Sequence, residues 1–398
     1  MIHHYDGRTQ MVALNILYDV GSKDENPART GFAHLFEHLM FGGSANIPDF
    51  DTPLQQAGGQ NNAWTSSDVT NYYSVVPRRN VETAFWLESD RMLELEFSEK
   101  SLAVQKQVVC EEFKQRNLNQ PYGDMYMQLR PLAYKKHPYR WPVIGKEIKH
   151  IEDATLDDVK DFYYKHYAPN NAILAVTGNI PFAEAVRLAQ KWFGPIPRRD
   201  IPRRDLPAEP PQTETRYHDI TRPVPLDAIA MAWHMSGRHG DTYRASDLLS
   251  DILSNGDSSR LYRRLVVEKP LFSDIDASIT GDIEPGLFVI TGRLNKGITM
   301  QQAEDALQHE VQTLQEQPVQ PGELNKVVNK YESDHHFSNI DYLSKATHLA
   351  WYELIGKAED IDSETDKYKT ITPDHMQQVA RTLFSNSNRS TLYYRAQK

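Results

Sequence analysis

The stretch Gly31-Phe32-Ala33-His34-Leu35-Phe36-Glu37-His38-Leu39-Met40 constrains this chain more than any other. It reads as a helix that is largely buried, yet three of its side chains are polar. His34 and His38 are four positions apart and so lie one turn apart on one face. Glu37 is three on from His34 and lies beside them. Buried imidazoles and a buried carboxylate need partners, and one metal ion would serve all three. Two imidazoles at this spacing can grip Zn²⁺ while an open position holds water. Glu37 can then take that water's proton.

The pattern is the inverted H-x-x-E-H motif. With 15 histidines in the chain and glutamate roughly half of its 54 acidic residues, it should arise by chance in about 4% of sequences this long. The alternative is a helix with two satisfied histidines and a surface glutamate. The flanks argue against that, because Phe32, Ala33, Leu35, Phe36, Leu39, Met40 and Phe41 are nearly all apolar.

At 398 residues the chain is too long for one ordinary core, and two domains are expected. A net charge of −10 argues against nucleic acid as a partner. No apolar run approaches a membrane span. No signal-peptide core follows Met1-Ile2-His3-His4-Tyr5-Asp6. Cytoplasm is the default compartment, with the periplasm open if an upstream signal was removed. The one cysteine, Cys110, excludes an intramolecular disulfide framework and reads as a small core residue.

Along the chain, residues 10 to 20 alternate as a strand. The motif helix follows and ends at Gly42-Gly43. Thr52 to Ala57 predicts a short helix, and Ala63 to Ser66 and Thr70 to Val76 predict strands. Helices are expected over 79 to 96 and from about Ser98 to Leu118. On the second, Leu102, Val109 and Phe113 form an apolar stripe. Glu112 borders it three positions on from Val109, whereas Glu111 points away to solvent. Glu112 is thus the candidate for a third ligand from a remote helix. Further on come a helix over His150 to Tyr167, a strand over Ala172 to Gly178 and a helix over Pro181 to Phe193.

Residues 194–225 are crowded with proline and charge and predict the linker between domains. The expected domains are 1–193, with the metal site, and 226–398, without it. The second half replays the first: Ser98-Glu99-Lys100-Ser101-Leu102 matches Gln320-Pro321-Gly322-Glu323-Leu324, each opening one of two paired long helices. In that register the motif helix falls near Asp247-Leu248-Leu249-Ser250-Asp251, where no histidine remains. The fold class expected is α+β: two homologous α/β domains, each a mostly antiparallel sheet packed with helices. His335-His336, His3-His4, His137 and His150 lack a partner at ligand spacing, and Arg260 suits an ion pair as well as a substrate contact.

These residues, in this order, resemble the pitrilysin/insulinase-type zinc peptidases, especially short bacterial forms similar to the mitochondrial processing peptidase β subunit. The resemblance runs through Val20-Gly21-Ser22-Lys23-Asp24-Glu25, the motif helix, Asn62-Ala63-Trp64-Thr65-Ser66 and Val108-Val109-Cys110-Glu111-Glu112. It continues through His166-Tyr167-Ala168-Pro169-Asn170-Asn171 and Ser258-Ser259-Arg260-Leu261-Tyr262. It implies a zinc metalloendopeptidase with one Zn²⁺ per chain, held by His34, His38 and Glu112, and Glu37 as base. It implies two similar domains facing each other, and two chains forming a chamber that admits unfolded peptides. The strand at Asn62 and Ala63 would pair with substrate backbone.

Three positions depart from the family pattern. Gln105 stands where a second glutamate is usual, and it cannot act as an acid or base at neutral pH, which weakens its supporting role beside the site. Val266 and Ser273 stand where an arginine and a tyrosine usually hold the substrate. A heterodimer with a homologous zinc-less subunit carrying that pair is therefore expected, with a homodimer as the second choice. The competing function is a non-catalytic scaffold or assembly subunit of a larger complex.

Overall fold

The computed structural model describes residues 1–397. Five strands form a first sheet: β1 (Ile2–Tyr5), β2 (Met11–Tyr18), β3 (Gln60–Thr65), β4 (Thr70–Pro77) and β5 (Ala172–Gly178), in the order β1-β5-β2-β4-β3. Five more form a second: β6 (Arg216–Arg222), β7 (Ala228–His234), β8 (Phe272–Ile279), β9 (Leu287–Leu294) and β10 (Arg389–Ala396), in the order β6-β10-β7-β9-β8. β1 runs parallel to β5 and β6 parallel to β10, and the other pairings are antiparallel. The two sheets match strand for strand, so the duplication seen in the paired helices extends to the sheets. The α+β class with mostly antiparallel sheets is the one observed.

The helices of the first half are α1 (Phe32–Leu39), α2 (Asp51–Gln56), α3 (Val81–Leu93), α4 (Glu99–Phe113), α5 (Met125–Ala133), α6 (Lys149–Glu152), α7 (Leu156–His166) and α8 (Phe182–Trp192). Those of the second are α9 (Tyr243–Ser254), α10 (Met300–Glu316), α11 (Pro321–Ser338), α12 (Tyr342–Ile355), α13 (Glu364–Lys369) and α14 (Pro373–Leu383). The helix expected over His150 to Tyr167 is broken into α6 and α7, because Thr155 caps α7 in a capping box with Asp158.

The chain forms two compact units that are not continuous spans. One comprises Met1–Lys114, Trp141–Leu206 and His335–Ser363, and the other Gln115–Arg140, Pro207–Asp334 and Glu364–Lys398. Each therefore contains a helical segment from the opposite half, which differs from the division at 194–225. Side-chain size explains the packing. On β7, Ile229, Met231 and Trp233 enter the main core of the second unit, while Ala228, Ala230 and Ala232 face the other way and pack with Leu129 and Ala133 of α5. In the first unit, Ala13 and Leu17 of β2 pack with Ala346 and Ala350 of α12. Strands alternate faces, so a row of small side chains makes room for a closely packed helix.

The predicted linker needs correcting, since residues 216–222 of it form β6. No proline falls between Pro211 and Pro223, and the polar sequence Arg216-Tyr217-His218-Asp219-Ile220-Thr221-Arg222 suits the sheet edge beside β10. The part before it is docked. It holds a tandem repeat, Ile196-Pro197-Arg198-Arg199-Asp200 then Ile201-Pro202-Arg203-Arg204-Asp205. The second arginine of each copy is anchored. Arg199 lies over the rings of Tyr163 and Tyr164 and donates to the Tyr167 carbonyl at 2.6 Å. Arg204 pairs with Asp19 at 2.7 Å and Asp24 at 2.5 Å.

Candidate metal centre

α1 is two turns long and starts at Gly31, whose φ of 89° is left-handed. A Cβ there would stand 2.8 Å from the Ile144 carbonyl oxygen, so both conformation and space call for glycine. Glycine brings no capping side chain. Glu25 supplies the acceptor from the preceding turn, its two carboxylate oxygens receiving the N–H groups of Gly31 and Ala33 at 2.9 Å each. Glu25 is buried. Burial pushes its carboxyl up to about 8, against the pull of those two donors.

Phe32, Leu35, Phe36 and Leu39 bury one side of α1. Phe36 stacks on Phe162 and Tyr167, ring centres 5.1 and 5.2 Å away. The polar side then carries His34, Glu37 and His38. The Nε2 atoms of His34 and His38 are 3.4 Å apart, with the rings nearly perpendicular.

α4 brings the third group. Ser98 caps it by accepting the Ser101 N–H at 3.1 Å, and Leu102, Val109, Cys110 and Phe113 are its buried residues. Glu112, at the edge of that face, puts Oε2 3.3 Å from His38 Nε2 and 3.7 Å from His34 Nε2. One donor atom from each of the three lies within 4.8 Å of the others, and among the described residues no second His/Cys/Asp/Glu trio converges as tightly. Two ring nitrogens and a carboxylate oxygen so placed can be bridged by one divalent cation. Glu111 points away and pairs with Lys114 at 2.6 Å.

Glu37 Oε2 accepts a 2.6 Å hydrogen bond from Thr65 Oγ1, at the end of edge strand β3. On the same strand Asn62 is exposed, its Oδ1 taking the Ala63 N–H at 2.8 Å, while Ala63 packs against the first unit's core. Gln105 lies beside the turn after α1, its Nε2 3.6 Å from where a Cβ on Gly42 would be. In the second unit Val266 packs against the core and Ser273 is exposed on β8, bonded to Asp274 and the Arg293 carbonyl.

In the second unit, Asp247 and Asp251 of α9 make internal bonds. Tyr368 Oη donates to Asp247 Oδ2 at 2.5 Å, and Asn255 donates to Asp251 at 2.6 Å. The register of the long helices sets Asp334 opposite Glu112, and it pairs with Lys330 at 2.6 Å. Other histidines have structural partners: His3 the Ile180 carbonyl at 2.7 Å, His335 the Ile361 carbonyl at 2.9 Å, and His150 Thr30. Arg260 grips Glu323 with two bonds of 2.9 and 2.7 Å. Sequence reasoning gave no role to Glu25 or Thr65. Thr30, the capping residue type the sequence offers beside Gly31, bonds His150 instead.

Comparison with known proteins places these features in a family. Residues 1–147 match the Insulinase (Peptidase family M16) description, and residues 153–331 match the Peptidase M16 inactive domain. The chain is 29% identical to the zinc protease PqqE of Helicobacter pylori, covering 98% of this chain and 88% of that protein. It is 28% identical to the mitochondrial-processing peptidase subunit beta of Saccharomyces cerevisiae over 49% of this chain and 42% of that protein. The crystal structure of a protease from Helicobacter pylori superposes with a TM-score of 0.90 at 26% identity, covering 97% of this chain and 95% of that one. The chain belongs to peptidase family M16, the insulinase-type peptidases.

Proposed function

We propose that this chain is a zinc-dependent endopeptidase acting on unfolded peptides. The observation that carries the reading is the convergence of His34, His38 and Glu112 within 4.8 Å. Two imidazoles and one carboxylate suit zinc, and three protein ligands are the usual number where the ion keeps a position for chemistry. His34, His38 and Glu112 would hold one ion per chain. When bound, zinc supplies Lewis acidity that polarises a peptide carbonyl and brings the pKa of water toward ~7. Glu37 takes the proton from the attacking water and delivers it to the leaving amine. Thr65 fixes the orientation of that carboxylate. β3 ends its sheet, so its outer edge at Asn62 and Ala63 can pair with an extended peptide. Gln105 supports the site by hydrogen bonding only.

Val266 and Ser273 cannot grip a substrate as arginine and tyrosine would. A sister chain lacking the zinc motif is proposed to supply that pair across a shared chamber. Cleavage of an unstructured peptide should therefore rise when a sister subunit is added. Full activity of the purified chain alone, unchanged by the addition, would count against the heteromer.

The decisive experiment combines metal analysis with cleavage assays. Glu37→Gln should keep its zinc and lose cleavage by roughly 10²- to 10⁴-fold, while His34→Ala should lose the metal. A purified chain that holds zinc and cleaves no unfolded peptide, with or without a sister chain, would point instead to an assembly subunit.

A further inference from the structure

We propose that Glu25 is a positioning residue for the metal centre, fixing the first turn of α1 and through it the placing of His34 and His38; this rests on the zinc reading above. α1 has only eight residues, too few to hold its shape by its own hydrogen bonds. Its N-cap is a glycine, so the first-turn N–H groups depend on an acceptor from elsewhere. Glu25 meets two of them, and the second belongs to Ala33, the residue next to His34.

The acceptor is itself held in place. The turn before it carries the Lys23–Asp68 pair at 2.7 Å, with both side chains 3% exposed. The Trp141 indole donates to the Ser22 carbonyl at 2.9 Å. Asp24 receives the Gly21 N–H at 2.9 Å and the Arg204 guanidinium at 2.5 Å. A carboxyl group fixed this firmly sets where α1 begins. The placing of His34 relative to Glu112 on α4 follows from it.

The test measures zinc affinity of the full chain by chelator competition, the visible spectrum of the cobalt(II)-loaded protein, and urea stability. Glu25→Ala should bind zinc about 10- to 100-fold more weakly, the usual effect of losing an outer partner of a metal site, and should shift the cobalt spectrum. Glu25→Gln keeps one oxygen acceptor and puts an N–H donor where the other oxygen accepts, and should fall between it and wild type. Asn15→Ala removes the buried Asn15–Asn71 pair on the same sheet. It should lower the urea midpoint without moving zinc affinity or spectrum.

Wild-type affinity and spectrum in Glu25→Ala, or in Glu25→Gln and Glu25→Asp should the alanine variant not fold, would overturn the proposal. In that case the zinc reading stands. A wild-type chain that binds no zinc would overturn both.

Discussion

The Thr65 hydroxyl donates to Glu37 Oε2 at 2.6 Å, tying the end of edge strand β3 to the polar face of α1. A hydrogen bond to a carboxylate contributes about 1.5–3 kcal/mol. Thr65→Val keeps the β-branched shape suited to the strand and removes only the donor. It should lower kcat by roughly 10- to 100-fold with zinc content unchanged, and Thr65→Ser should restore most of the loss. Equal kcat in Thr65→Val and wild type would mean that this bond does not position the base.

Adjacent glutamates on α4 should behave oppositely. Glu112 stands 3.3 Å from His38 Nε2, whereas Glu111 reaches Lys114 in solvent. Glu112→Ala should strip the metal under dialysis against a weak chelator and abolish cleavage. Glu111→Ala should leave zinc content, cleavage and urea midpoint as in wild type. Metal analysis of the two proteins side by side decides it, and metal loss in Glu111→Ala would reverse the assignment.

The parts of the molecule legible in the sequence are those where local pattern and burial agree. The apolar flanks of His34 and His38 revealed a buried helix, and the step from Val109 to Glu112 set Glu112, rather than Glu111, beside the two rings. The matching openings of α4 and α11 exposed the duplication. What escaped depends on contacts made elsewhere in the chain. β6 is polar because it lies at a sheet edge, and its partner β10 comes 173 residues after its start, from Arg216 to Arg389. α5 contains Pro131, which reads as a helix breaker, yet its Leu129 and Ala133 meet the alanines of β7. No local signal tells α5 or α12 which sheet to cover. Glu25 likewise caps a helix that starts beyond the reach of an ordinary capping box.

The turn ahead of α1 relies on a buried charge pair. Lys23 and Asp68 are 2.7 Å apart, each side chain 3% exposed. Removing one partner strands the other charge away from water, at about 3–5 kcal/mol. Asp68→Leu and Lys23→Met should each lower stability by an amount of that order. The Lys23→Met/Asp68→Leu double variant should be closer to wild type than either. Urea unfolding of the set measures the coupling. Additive losses across the cycle would show that the two charges do not depend on each other.

Stability should also carry a pH signature from the second unit. Asp247 lies on α9 against Tyr368. Burial pushes its carboxyl up to about 6, although Tyr368 donates to it and Arg238 lies near. An unfolded aspartate titrates near ~3.9, so the folded chain binds this proton more tightly than the unfolded one. The contribution is then fully present below pH ~3.9 and fades as pH rises through about 6. With a pKa difference of about two, it amounts to roughly 3 kcal/mol lost between pH 4 and pH 8. Asp247→Asn keeps an acceptor for Tyr368 and removes the charge. It should match or fall slightly below wild type at pH 5 and exceed it at pH 8, so that the two urea midpoints cross as pH rises. Parallel midpoints at both pH values would show that Asp247 titrates alike in the folded and unfolded chains.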